Sequence, residues 1–319
     1  MNSLLPQPLR LPIVSAPMFL VSGPELVVAA STSGIIGSFP APNCRTSEDL
    51  DAWMGTINDG VSRARHDGIA AAPWALNLVT HSTNQRLSED LALVAEHQPP
   101  IVITALGSPA PVMDVVKNYG GLVIADVVNI KLAHKAAGVG VDGLACISAG
   151  AGGHTGHLSP FAFVSAVREF FDGLISVGGG ISDGHGVAGA VAAGADLVYM
   201  GTRFLTAAES MAPAEYKQMV VDHGPDDLIV SAGITGTNAS WLRPSLIANG
   251  LDPDALIGPA PRDYNSTAGA HKKWKDVWAA GQGLGTIRGV EPVSQIVNQL
   301  EAEYREAAAR FGALVSASV

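Results

Sequence analysis

Cysteine is nearly absent. Cys44 and Cys146 are the only two thiols in 319 residues, too few for a disulfide framework and without the CxxC spacing that holds zinc. Charge is also scarce, at 15% of residues against roughly 25% in an average globular chain. What charge there is leans acidic, with 19 Lys and Arg against 29 Asp and Glu and a formal net charge of −10. No run of Lys and Arg occurs, so a nucleic-acid-binding face is excluded. No long apolar run occurs either: the uncharged stretch 26–44 holds two glycines and two prolines and does not read as a membrane span. Residues 1–10 carry one cation, at the far end, and two prolines, which is not a signal-peptide pattern. The expected compartment is the reducing cytoplasm.

Glycine and small apolar residues are plentiful: 36 glycines, 20 prolines and 47% hydrophobic residues. Short apolar runs alternate with segments of helical period. The runs 11–14, 34–37, 72–78, 101–105, 122–125, 143–147, 174–177 and 197–200 read as eight strands. Helical segments between and around them are expected at 24–32, 88–97, 110–118, 130–137, 161–171 and 187–193. Strands separated by single helices imply right-handed crossovers and a parallel sheet. Eight such units fit a (β/α)8 TIM barrel of the α/β class better than an open doubly wound sheet. The rhythm breaks after residue 209, with helical patches at 214–222 and 240–249 and a Gly-Pro-Ala-Pro linker at 258–261. The expected organisation is therefore a barrel over 1–209, a small helical insertion over 210–276, and a return to the barrel with a C-terminal helix over 277–319.

Chemistry in such a barrel sits at the C-terminal strand ends. The sixth predicted strand runs into Ser148-Ala149-Gly150-Ala151-Gly152-Gly153-His154-Thr155-Gly156. Its glycines allow close backbone approach to a flat ligand and deliver one imidazole to the same place. Most lone histidines are structural, but His154 stands out by this placement. The next two strands end in Gly178-Gly179-Gly180 and in Gly201-Thr202-Arg203. Paired glycine turns, each opening a helix, form the standard barrel phosphate site built from backbone N–H groups. A GxGxxG spacing at Gly138, Gly140 and Gly143 follows a helix and precedes a strand, the wrong context for a dinucleotide fingerprint. No His, Asp or Glu cluster has metal-ligand spacing, so no metal is expected. Elsewhere Ala16-Pro17-Met18, Asn77 and Asp126 fall at strand ends, and Gln282 lies in a late glycine pair. Asn77 and Gln282 both donate and accept, which suits the edge of a heterocycle. An anion cradle, apolar walls, a few amides and one histidine are what flavin mononucleotide requires.

These residues together resemble the nitronate monooxygenase family, formerly the 2-nitropropane dioxygenases. The resemblance rests on 12–18, 74–78, Ala151-Gly152-Gly153-His154-Thr155-Gly156, 178–184, Met200-Gly201-Thr202-Arg203-Phe204, 238–244 and 280–283. It implies an FMN-dependent enzyme whose isoalloxazine is lined by Ala16, Pro17, Met18, Asn77 and Gly152, with Gln282 and Asp126 nearby. It implies a phosphate held by Gly178, Gly179, Gly180, Gly201 and Thr202, and His154 acting over the flavin. The reaction so implied is oxidation of an alkyl nitronate by O2 to a carbonyl compound and nitrite.

Two departures stand out. Relatives often carry Glu in the loop before Gly-Gly-His, where this chain has Ala149-Gly150-Ala151, and some carry Lys where it has Asp126. An aspartate beside the flavin opposes negative charge on the reduced ring, where a lysine stabilises it. The departures motivate the alternative, an NAD(P)H-dependent reductase of a quinone or an enoyl substrate on the same FMN barrel.

Overall fold

Each expected apolar run becomes a strand in the computed structural model, which describes residue 5 and residues 8–256 and 276–316. Eight parallel strands close a barrel in the order β1 (Ile13–Ser15), β2 (Ile36–Pro40), β3 (Trp74–Val79), β4 (Ile101–Ala105), β5 (Leu122–Val127), β6 (Gly143–Ile147), β8 (Leu174–Gly178) and β9 (Leu197–Met200). β9 pairs back onto β1, with Val14 opposite Tyr199. This is the TIM barrel that the alternation implies. Strand side chains alternate sides, so Val14, Ile36, Ala75, Ile103, Ile124, Ala145, Leu174, Leu197 and Tyr199 fill the barrel interior. Their neighbours, among them Phe39, Leu76, Val102, Val123, Leu144 and Val198, face the helical layer in a second, larger core. Burial on both faces explains why these strands read as continuous apolar runs.

The helices begin where the sequence supplies a cap. Asn129 caps α5 (Ile130–Ala137) through Leu132 N–H, Ser159 caps α6 (Pro160–Arg168) through Ala162 N–H, and Asp183 caps α7 (Gly184–Ala192) through Gly186 N–H. The longest helix before the barrel's third strand, α2 (Ser47–His66), is missing from the sequence reading. Its signals are a reciprocal Thr46–Asp49 capping box and buried Leu50, Met54, Ile57, Val61 and Ala64 on one face. The turn-like Asn58-Asp59-Gly60 in its middle masks that period.

The insertion is mixed, not helical as expected. Helix α9 (Ala214–Asp222) falls where the periodicity places it, but the patch expected as helix at 240–249 divides into β11 (Ala239–Leu242) and α10 (Arg243–Ala248). Pro244 sets where the helix starts, because a proline has no N–H to bond to a preceding turn and fits only in a helix's first turn, where it stands here. Strand β11 pairs antiparallel with β10 (Leu228–Ser231) on one side and with β7 (Gly153–His154) on the other. The linker at 258–261 lies outside the described residues. The C-terminal helix (Val293–Ser316) buries Val293, Ile296, Val297, Leu300 and Ala307. It presses on α7 so closely that a Cβ at Gly184 would lie 2.2 Å from the Leu300 carbonyl oxygen. Among the described residues no helix is long and apolar enough to cross a membrane.

Candidate functional site

The segments after β6, after β8 and around Gln282 are tied together by their backbones at the C-terminal mouth of the barrel. The Gly150 carbonyl accepts from Gly180 N–H at 3.0 Å and from Gln282 N–H at 2.9 Å, and Ser148 N–H donates to the Gly178 carbonyl at 2.8 Å. Gly281 N–H donates to Thr202 Oγ1 at 2.9 Å. A Cβ on Gly152 would stand 2.7 Å from Gly281 N and 2.8 Å from the Ala280 carbonyl carbon, so glycine there is a requirement of backbone contact. At Gly180 the backbone is left-handed, φ 69°, the second position where glycine is needed. Gly152, Gly178, Gly180, Thr202 and Gln282 are thus one cluster.

The β1 end joins this cluster through Gly201. A Cβ on Gly201 would lie 3.8 Å from Met18 Cγ and 3.9 Å from Ala16 Cβ, and Ala16 N–H donates to the Met200 carbonyl at 3.0 Å. Pro17 sits between Ala16 and Met18 in the same turn. Asn43, which sequence reasoning missed, fixes this turn: its Nδ2 donates to the Met18 carbonyl at 3.1 Å and the Ser22 carbonyl at 2.7 Å, while its Oδ1 accepts from Leu20 N–H at 2.8 Å. Asn77 lies apart on β3, buried in the barrel, with Nδ2 donating to the Ile103 carbonyl at 3.3 Å.

Backbone donors at the mouth divide into used and open. Gly180 N–H is spent on Gly150 and does not point out of the loop as an open donor. Among the described residues the N–H groups of Gly179, Gly201 and Thr202 have no acceptor, and they stand at the ends of the adjacent strands β8 and β9. Arg203 turns away from them, bonding to Glu291 and Gln299 in the C-terminal segment. An anion at this place is met by peptide dipoles and not by a guanidinium.

His154 is held by strand pairing. β7 sets it opposite Ala239 of β11, and the next residue is locked on both sides: Thr155 N–H donates to the Asn238 carbonyl at 3.1 Å and Thr155 Oγ1 to the Ser148 carbonyl at 3.0 Å. Ser240 of β11 donates from Oγ to the Ala280 carbonyl at 2.8 Å, so the same strand braces both His154 and the Gln282 segment. Thr155, Asn238 and Ser240 lie in segments that carry the family resemblance, but the sequence assigns them no task of their own. A two-residue strand has no period to detect, and its partner is remote in the chain. The imidazole is partly accessible yet surrounded by protein, and that burial lowers its pKa below the usual 6.5.

Asp126 lies inside β5, not after it as expected, and points into the barrel two positions beyond Ile124. Burial pushes its carboxyl up to about 7, and the Tyr199 hydroxyl on β9 is the one titratable neighbour that bears on it. The hydroxyl faces the carboxyl closely enough to favour its anion, although neither Tyr199 Oη nor Asp126 Oδ1 has a partner at full hydrogen-bonding geometry among the described residues. The thiols of Cys44 and Cys146 are buried and pushed up to about 12, which removes them as nucleophiles. Among the described residues no three His, Cys, Asp or Glu side chains gather to hold a metal. The mouth therefore combines open backbone donors, an apolar turn, a histidine neutral at physiological pH and an acid that titrates near neutrality.

Comparison with known proteins agrees with this geometry. The nitronate monooxygenase from Paraburkholderia phytofirmans is 28% identical over 92% of this chain and 92% of its own. The fold is similar to the nitroalkane oxidase from Streptomyces ansochromogenes, with TM-score 0.81 at 22% identity over 95% of this chain and 98% of that one. It is also similar to a mutant of FabK from Thermotoga maritima, with TM-score 0.78 at 25% identity over 98% of this chain and 97% of that one. The family model described as nitronate monooxygenase matches residues 5–303, and the chain belongs to the nitronate monooxygenase family of oxidoreductases.

Proposed function

We propose that the chain is an FMN-dependent nitronate monooxygenase, converting an alkyl nitronate and O2 into a carbonyl compound and nitrite. The observation that carries this reading is the row of open N–H groups at Gly179, Gly201 and Thr202, beside a loop cluster that leaves no room for a Cβ at Gly152. These residues fit FMN: the open donors suit its phosphate, and the turn of Ala16, Pro17 and Met18 supplies an apolar edge for its ring. Asn77, Asp126 and Gln282 offer donors and acceptors to the polar edge. Bound there, FMN supplies the electron-accepting ring.

His154 then does the chain's own share of the chemistry. As a neutral imidazole it donates one N–H to a nitronate oxygen, or takes the α-proton of a nitroalkane on its unprotonated ring nitrogen. Strand β11 holds it still while it does so. The covering elements of 210–256 exclude water from the mouth and set how large a substrate enters.

Turnover tests the reading. Protein loaded with FMN and given propyl-2-nitronate in air is expected to release acetone and nitrite in equal amounts, and His154→Ala to slow turnover by roughly 10²–10⁴-fold. Flavin-replete protein that yields no nitrite contradicts it.

A further inference from the structure

Unsatisfied polar atoms in this barrel converge. Asp126 on β5, Ser176 on β8 and Tyr199 on β9 all face inward, as the alternation from Ile124, Leu174 and Leu197 requires. The register sets Asp126 opposite Ala145 and Ala145 opposite Ser176, one row across three neighbouring strands. A Cβ at Gly178 would lie 2.9 Å from Tyr199 Cβ, which places the tyrosine beside the first glycine of the turn after β8. Among the described residues, Asp126 Oδ1, Ser176 Oγ and Tyr199 Oη are each buried with no partner at full hydrogen-bonding geometry. Each such atom costs about 1–3 kcal/mol when neutral and more when charged.

Among the described residues no cation compensates them. The inward faces around Asp126 are Ile103 on β4, Ala145 and Ile147 on β6, and Tyr199 on β9. The nearest arginines in sequence to these strands are engaged outside the barrel, Arg168 with Asp196 and Arg203 with Glu291. An ionised carboxylate in this setting has one uncharged hydroxyl for company and an oxygen with nothing to accept from.

We propose that Asp126 is held as a neutral carboxylic acid which, with Tyr199 and Ser176, forms a hydrogen-bond-donating floor beneath the site. The proton stays on the carboxyl while a ligand is bound, so a ring lying above meets a donor and no negative charge. The inference rests on the FMN reading only for what the floor serves. It resolves the departure seen in the sequence: an aspartate where relatives carry lysine does not oppose charge on a reduced ring when the aspartate carries its own proton. Burial, which drives the carboxyl toward neutrality, acts on Tyr199 in the same sense and keeps its hydroxyl protonated.

Infrared spectroscopy of the protein as purified, with Asp126→Asn as the reference to subtract, reads the proton directly. A protonated-carboxyl C=O band is expected at pH 6, fading through about pH 7, and absent from Asp126→Asn. Tyr199→Phe removes a hydroxyl that favours the anion, so the fading moves to higher pH, an effect that a purely structural role does not produce. The band is expected at pH 6 in the FMN-loaded protein as well as in the flavin-free one. Absence of the band at pH 6, or an unmoved titration in Tyr199→Phe, overturns the proposal. If the protein takes up no FMN, the oxidase reading falls while the infrared titration still decides the state of Asp126.

Discussion

At the scale of single residues, two titratable groups have burial working on them in opposite directions. His154 loses its charge more readily than a free imidazole because burial penalises the cation. With a neutral nitroalkane as substrate, the acid limb of kcat/KM against pH is therefore expected below 6.5, where His154 begins to protonate. A limb at or above 6.5 that persists in His154→Gln contradicts this assignment. Asp126 is raised from 3.8 to about 7, so the unfolded chain gives up this proton before the folded one does. The stabilisation is complete below the unfolded value and is lost as pH rises through about 7. Asp126→Asn removes that slope, and without flavin the variant should gain stability over the wild type at pH 8 relative to pH 5, by about 2–3 kcal/mol. Chemical denaturation at the two pH values measures it.

His154 and the glycine turns were legible in the sequence because their significance lies in residue type and in following an apolar run. The state of Asp126 was not. It depends on burial and on Tyr199, which bears on it only when β5 and β9 share one barrel. Asn43, stapling the Met18 turn from the next strand's end, was hidden for the same reason.

At the scale of elements, the site depends on backbone meeting backbone. Gly152→Ala drives a methyl to within 2.7 Å of Gly281 N, and neither neighbour is a flexible side-chain end that can move aside. The segment carrying Gln282 must shift, with a stability loss of about 1–3 kcal/mol and roughly a tenfold or greater loss of FMN affinity. Flavin fluorescence titration checks the second, and an affinity equal to wild type would show that the segment does not touch the flavin. The eight barrel strands were readable because burial on both faces leaves unbroken apolar runs. The insertion was not: β10 and β11 are four residues each, too short for a period to declare itself. Pro244 gave the one local signal that the expected helix must start later.

At the scale of the whole molecule, the insertion is knitted into the barrel. β11 pairs with β7 from the β6 loop, Ser240 holds Ala280, and the Gly150 carbonyl receives both the β8 turn and Gln282. Removing FMN should therefore lower the Tm of one cooperative transition, and added FMN should raise it progressively, as expected for a ligand that binds only the folded state. Two separate transitions, of which only one responds to FMN, would contradict that coupling. The scarcity of charge has a counterpart here. Arg203, the cation next to the open donors in sequence, is used to anchor the C-terminal segment through Glu291, leaving an anion to the peptide N–H groups.

The central claim is that the flavin of this chain takes electrons from a nitronate. Protein reconstituted with FMN, made anaerobic and mixed in parallel with propyl-2-nitronate, NADH and NADPH, tests it by the visible flavin absorbance alone. The account predicts rapid bleaching by the nitronate, recovery of the oxidised spectrum when air is admitted, and a spectrum unchanged by either nicotinamide. Fast bleaching by NADH or NADPH with the nitronate inert would contradict it and identify the chain as a reductase on the same barrel.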